Sequence, residues 1–293
     1  MSAPYAGARR SDAIRRPREE EIDAYGVTHA GKVRKDNQDH YMVCSLRRQL
    51  VVRGSSIPDA DEILGSIERL ASLAVVADGV GGSAGGETAS RVALTGIAKY
   101  VTRSLRCYYR SFDQDEDLEE ALRQASGECH ADLLRRAEAD PEYRGMATTL
   151  TLYLSVWPRA YVLQVGDSRC YLLRGKELVR LTRDQTMAQE MVDLGIMKPE
   201  QVAGTRLEHT LTSAIGGRQT QPTVTQFEMD WGHVILLCSD GLTRHVSDAR
   251  IGQVLGSMRS AQQACETLLE EALAGGGTDN ITIVIGRAIR DQG

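Results

Sequence analysis

Four aspartates stand where apolar runs stop: Asp78 after ASLAVVA, Asp167 after AYVLQVG, Asp240 after HVILLCS, and Asp279 in GGGTDN ahead of ITIVIG. A strand gives each acid a rigid base, and Gly79, Gly166, Gly241 and Gly277 beside them permit sharp turns and close backbone approach. Carboxylates gathered in one place repel one another unless protons or cations intervene, and hard oxygen donors suit magnesium or manganese. The pattern predicts a polycarboxylate metal centre, to which Gly79 can add a backbone carbonyl. The polar loop GKVRKDNQDH supplies Arg34, whose planar donor fork fits a phosphate, with Gln38 and Asp39, the latter able to face a metal or its waters. The glycine run VGGSAGG leads into a helix N-terminus that favours anions, but lacks the Lys-Ser/Thr pair of a P-loop and the spacing of a dinucleotide fingerprint.

These residues need elements to hold them. Short β-prone runs (AYGVTHA, YMVCSL, QLVV) flank the Arg34 loop, and the strand ending at Asp78 is followed by two long helical segments. ATTLTLYLSV, RAYVLQVG, SRCYLLRG and ELVRL then follow in close order with tight turns at Trp157-Pro158, Gly166-Asp167 and Gly175-Lys176, which means antiparallel pairing. The chain closes strand, helix, helix, strand. Paired helices and antiparallel strands, without regular alternation, predict an α+β layered architecture. One catalytic domain spans 23–290, with an inserted loop at 53–70 and a flap region at 186–217. Residues 1–22, rich in Arg and Glu and without apolar periodicity, read as a flexible leader.

The net charge of -5 and the lack of a Lys/Arg/aromatic stripe argue against a nucleic-acid partner. Six dispersed cysteines without a C-x-x-C pair read as reduced thiols. No apolar stretch approaches the ~20 residues that span a bilayer, and the N-terminus lacks the core of a secretory signal. The expectation is a cytoplasmic protein without a membrane partner.

The ordered series VRKDNQD, VVADGVGG, GMATTL, VGDSR, LTRDQT, LTSAIGG, LLCSDGL and GTDNITIV resembles the metal-dependent protein phosphatases of type 2C, over nearly all of 24–287. The resemblance implies a central antiparallel β-sandwich flanked on both sides by pairs of helices, a four-layer α-β-β-α arrangement with the metals in a channel at one end. It implies Mg2+- or Mn2+-dependent hydrolysis of phosphoserine and phosphothreonine in proteins by a metal-bridged hydroxide, without a covalent phosphoenzyme. Asp78 then resembles the bridge between two metals and the Gly79 carbonyl a ligand of the second. Asp240 and Asp279 complete the first metal, Asp39 holds the second metal's waters, and Asp167 with Asp240 forms a weaker third site. Arg34 takes the substrate phosphate; Asn280 and Gln38 support the ligands. The implied partners are phosphoproteins opposed to a serine/threonine kinase, and the implied state is a monomer.

Three positions depart from the family pattern. Val80 stands where many members carry His, which leaves leaving-group protonation to a metal-bound water; Gln38 replaces a frequent Glu, and Ala147 a frequent Gly. Two rival readings remain. Cys129 to Arg135 and Cys238 to Arg244 both fit the C-x-x-x-x-x-R spacing of cysteine-dependent phosphatases, and a phosphoprotein-binding pseudophosphatase would use the same cleft without turnover.

Overall fold

Strands that are apolar at nearly every position must bury both faces, and the computed structural model shows what covers them. It describes residues 15–48, 68–81, 83–108, 115–202 and 204–290; most of the leader (1–14) and of the insertion (53–67) lies outside the described residues. The strands in chain order are β1 (Ile22–His29), β2 (His40–Arg48), β3 (Glu68–Ala77), β4 (Gly79–Val80), β5 (Ala147–Thr148) and β6 (Leu150–Val156). Then come β7 (Arg159–Val165), β8 (Arg169–Arg174), β9 (Glu177–Arg180), β10 (Thr223–Glu228), β11 (Val234–Cys238) and β12 (Ile281–Ala288). The helices are α1 (Ser83–Tyr108), α2 (Asp115–Ala139), α3 (Met187–Asp193), α4 (Pro199–Val202), α5 (Asp240–Thr243), α6 (Asp248–Ser257) and α7 (Ala261–Ala274).

Two five-stranded antiparallel sheets, ordered β1-β12-β11-β8-β9 and β10-β7-β6-β3-β2, face each other, and β4 with β5 forms a small separate ladder. Strand periodicity explains the layering. Along β3, Ala74 and Val76 turn inward with Val162, Leu172, Leu237 and Val284, forming the core between the sheets. The alternate residues Leu73, Val75 and Ala77 turn outward onto Ala93 and Ile97 of α1 and Leu122 and Ala125 of α2. On β12, Ile281, Ile283 and Ile285 likewise turn onto Ile251 and Val254 of α6 and Cys265 and Leu268 of α7. The result is the expected four-layer α-β-β-α sandwich.

Two boundaries move. Residues 15–21, counted with the leader, are built into the fold: the Glu21 side chain is 3% exposed and is gripped by Arg15 at 2.6 and 2.7 Å and by the Arg18 backbone N–H at 2.6 Å. Residues 68–70, counted with the insertion, begin β3 and pair with the end of β2. The flap holds α3, α4 and a 3-10 turn at Arg206–His209; the single bridge Thr148 to Ile215 ties it to the frame, and Thr186 to Leu211 closes it across its own base. At its tip Leu194 and Ile196 are 71% and 62% exposed. No helix among the described residues is long and apolar enough to cross a membrane.

Candidate metal centre

Antiparallel register carries the sequence-predicted aspartates to one end of the sandwich. His40 pairs with Ala77, so Asp39 before β2 lies beside Asp78 after β3. Leu150 pairs with Val165, which brings Asp167 to the same end. Cys238 pairs with Ile283 on one side and Arg169 on the other, placing Asp240 between Asp279 and Asp167. The backbones there are too close for side chains. A Cβ on Gly79 would lie 2.3 Å from Gly86 O, and one on Gly241 would lie 2.0 Å from Asn280 O. Asp78 is itself clamped: its N–H donates to Thr149 Oγ1 at 2.9 Å, and its carbonyl accepts from Thr149 N at 2.9 Å and Thr148 Oγ1 at 2.8 Å.

These ends open into a cavity of about 700 Å3 lined by Arg34, Gln38, Asp78, Gly79, Asp167, Asp240, Arg244, Asp279 and Asn280. A neighbouring cavity of about 660 Å3 under the flap shares Asp167, His209, Asp240 and Arg244 with it. A third, more apolar cavity of about 420 Å3 opens at the opposite end of the sheets and lacks the aspartate cluster.

Asp39 lies deepest, at 3% exposure, behind the cavity wall. Its Oδ2 accepts from Ser239 Oγ at 2.7 Å and Thr282 Oγ1 at 2.8 Å, while its Oδ1 is buried without a partner. Burial pushes the Asp39 carboxyl up to about 6, the Ser239 and Thr282 hydroxyls pull it down, and Asp240 pushes it up again. Burial first, then Asp39 and Asp240, raise Asp78 well above the usual carboxylate range. Asp167 is raised by burial and by Asp240. Asp240 is raised by burial despite the guanidinium of Arg244 beside it.

Two guanidiniums offset this negative charge. Arg34 donates to Asp279 through Nη2 at 2.8 Å and Nε lies 2.8 Å from the other oxygen. The fork expected to face phosphate is therefore bound to a carboxylate. Arg244 was not singled out as a site residue. Its Nε donates to Asp240 Oδ2 at 3.0 Å, its Nη2 reaches the same oxygen, and its Nη1 lies 3.2 Å from Asp279 Oδ2. Burial alone would lower the Arg244 pKa, but Asp240 and Asp279 hold it up. The i to i+4 spacing of Asp240 and Arg244 was the available signal.

Asn280 stitches the Arg34 loop to β12. Its Oδ1 accepts from Gln38 N at 2.9 Å, its Nδ2 donates to Ala30 O at 3.0 Å and Asp36 O at 2.9 Å, and its backbone N–H holds Asp279 Oδ1 at 2.9 Å. Gln38 lies against the start of α1, where its Oε1 would be 2.5 Å from a Cβ on Gly86. Val80 is 41% exposed at the cavity.

The donor set fits a hard divalent cation. It is all oxygen, and Asp39 Oδ1 and Asp240 Oδ1 are buried acceptors without partners, a costly arrangement that a cation would relieve. No three His, Cys, Asp or Glu side chains among the described residues form a ready-made cation cage, consistent with carboxylates held by guanidiniums. The cysteine alternative fails on burial, which pushes the thiols of Cys129, in α2, and Cys238, in β11, up to about 12.

Known proteins share this fold and sequence pattern. A family model described as protein phosphatase 2C matches residues 52–275. The serine/threonine protein phosphatase PstP of Mycobacterium tuberculosis is 37% identical over 218 residues, 73% of this chain, which spans 40% of that relative's length. The serine/threonine phosphatase stp of Listeria monocytogenes is 31% identical over 219 residues, 73% of this chain and 83% of the relative. Among solved structures, PstP/Ppp of Mycobacterium tuberculosis matches with a TM-score of 0.72 at 30% identity, covering 92% of this chain and 99% of that one. The PstP catalytic domain in complex with two manganese ions matches with a TM-score of 0.70 at 30% identity, with coverage of 92% and 99%.

Proposed function

We propose that this chain, which belongs to the protein phosphatase 2C family, hydrolyses phosphoserine and phosphothreonine in proteins with Mg2+ or Mn2+ as cofactor. The observation that carries the reading is the convergence of Asp39, Asp78, Asp167, Asp240 and Asp279 at one end of the sandwich, with two buried carboxylate oxygens lacking partners. The phosphatase names of the relatives and the two manganese ions of the PstP catalytic-domain structure support it. Asp78, the Gly79 carbonyl, Asp240 and Asp279 would hold two cations. Asp39 would hold the waters of the second, and Asp167 with Asp240 a weaker third ion.

Bound there, divalent cations supply Lewis acidity and hydroxide at neutral pH for in-line attack on phosphorus. The chain's own residues do the rest. Arg34, at the mouth with its side chain 57% exposed, turns from Asp279 to the phosphoryl oxygens. Asp39, fixed by Ser239 and Thr282, orients waters at the back of the cavity. His209 lines the cavity from the flap and, in place of a metal-bound water, is the group proposed to protonate the departing alkoxide, a role Val80 cannot fill. No covalent phosphoenzyme is formed. The protein acts in the cytoplasm as a monomer, on phosphoproteins made by a serine/threonine kinase.

The test is phosphate release from a phosphothreonine peptide with Mn2+. Turnover should vanish with EDTA and with Asp240→Asn. Activity that survives both would refute the metal mechanism, and tight peptide binding without turnover in the Mn2+-loaded protein would make the chain a phosphoprotein-binding module.

A further inference from the structure

We propose that Arg244 is the resident counter-cation of this centre: it bridges Asp240 and Asp279 and competes with a metal ion for both carboxylates. Arg244 thereby sets how much divalent cation the protein needs. The inference rests on the reading of these aspartates as metal ligands.

The geometry at Asp279 carries it. A carboxylate oxygen has two lone-pair directions, and here each oxygen already faces two nitrogen donors. Oδ1 faces Arg34 Nε at 2.8 Å and Asn280 N at 2.9 Å; Oδ2 faces Arg34 Nη2 at 2.8 Å and Arg244 Nη1 at 3.2 Å. Asp240 is half open by contrast, because both of its Arg244 contacts fall on Oδ2 while Oδ1 is buried and unpartnered. A cation can therefore meet Asp240 first, but cannot engage Asp279 until a guanidinium withdraws.

Arg244 rather than Arg34 is the competitor at both ligands. Arg34 holds Asp279 alone and extends from an exposed loop, whereas Arg244 spans two carboxylates from the C-terminal cap of α5, the helix that begins with Asp240. Arg244 also lines both the metal cavity and the one under the flap, so the displaced guanidinium has a second polar cavity to enter. Charge supports the exchange: one monovalent guanidinium gives way to a divalent ion among mutually repelling carboxylates.

The experiment is calorimetric titration of Mn2+ into the EDTA-stripped full chain, in phosphate-free buffer, for wild type, Arg244→Met, Arg244→Lys and the remote control Arg250→Met. Arg244→Met should tighten the first Mn2+ site about tenfold, because the variant loses the guanidinium that competes for Asp240 Oδ2. Lysine, a single ammonium that cannot fork across two carboxylates, should tighten it less, about threefold. It also serves as the informative variant should methionine prevent folding. Arg250, paired with Glu271 at 2.7 Å between α6 and α7, should change nothing. Mn2+ affinity unchanged or weakened in both Arg244 variants overturns the proposal, and weakening would make Arg244 an orienting partner of Asp240. If wild type itself takes up no Mn2+, the metal reading of the aspartates falls, and this inference with it.

Discussion

Thr282→Val tests how the buried Asp39 carboxylate is held. Thr282 is fully buried, and valine replaces its hydroxyl with a methyl of similar size. Asp39 Oδ2 would lose the donor at 2.8 Å and keep Ser239 at 2.7 Å; Thr28, which contacts Thr282 Oγ1 at 2.7 Å, would keep Asn37 Nδ2 at 2.9 Å. A hydrogen bond to a charged group contributes about 1.5–3 kcal/mol, so about 2 kcal/mol should be lost where Asp39 is ionised. The pH dependence identifies the carboxylate as the cause. Burial places the folded-state pKa of Asp39 at about 6, above its ordinary 3.8, so this group favours the metal-free fold at low pH and ceases to as pH rises from about 4 through about 6. Losing a donor raises that folded pKa further and extends the decline upward. The penalty should therefore be about 2 kcal/mol near pH 8 and under about 1 kcal/mol near pH 5, where a protonated Asp39 needs its donors less. Urea unfolding of EDTA-treated wild type and variant at both pH values measures it. An equal penalty at the two pH values, or a larger one at the lower, refutes the reasoning.

Glu21→Gln should destabilise the fold by about 1–2 kcal/mol near neutral pH, discounted because Arg15 is 40% exposed. Arg15, then the Arg18 backbone N–H, hold Glu21 down at about 2 from 4.5, so its contribution is present above about 4.5 and lost as pH falls toward 2; thermal melts across that window should show the two proteins converging. Gly241→Ala forces a Cβ to within 2.0 Å of Asn280 O and should cost about 1–3 kcal/mol in chemical unfolding, together with Mn2+ affinity, since Asp240 and Asp279 flank the clash. His209→Gln should slow phosphothreonine-peptide hydrolysis about a hundredfold while leaving p-nitrophenyl phosphate, whose leaving group needs no proton, within about threefold; equal losses on both would remove His209 as the acid.

Much of this arrangement was legible because strand-end positions are local facts. An apolar run that stops at Asp78 or Asp240 announces a strand and its exposed end, and antiparallel hairpins force such ends together. The four layers followed from runs apolar on both faces. Less legible were partners separated by long stretches of chain. Ser239 and Thr282 look like ordinary turn and strand residues until β11 and β12 carry them to Asp39, about 200 positions earlier. Arg34 suggested phosphate through its side-chain chemistry, but its bond to Asp279 depends on how Asn280 pins the loop against β12. The leader and insertion were drawn too long for a similar reason: Glu21 reads as one acid in a charged run until its burial against Arg15 and β1 is seen.

Few backbone rungs tie the flap to the frame, the Thr148–Ile215 bridge among them, while the aspartates ride on strand ends whose backbones pack glycine against carbonyl. Because loop-closure entropy changes slowly with length, a cassette fastened at few rungs can be exchanged for a longer or shorter one without shifting strand register. The strand-end aspartates are thus written in main-chain packing that tolerates little revision, whereas the segment that carries His209 to the cavity, with Leu194 and Ile196 at its outer edge, can change length independently.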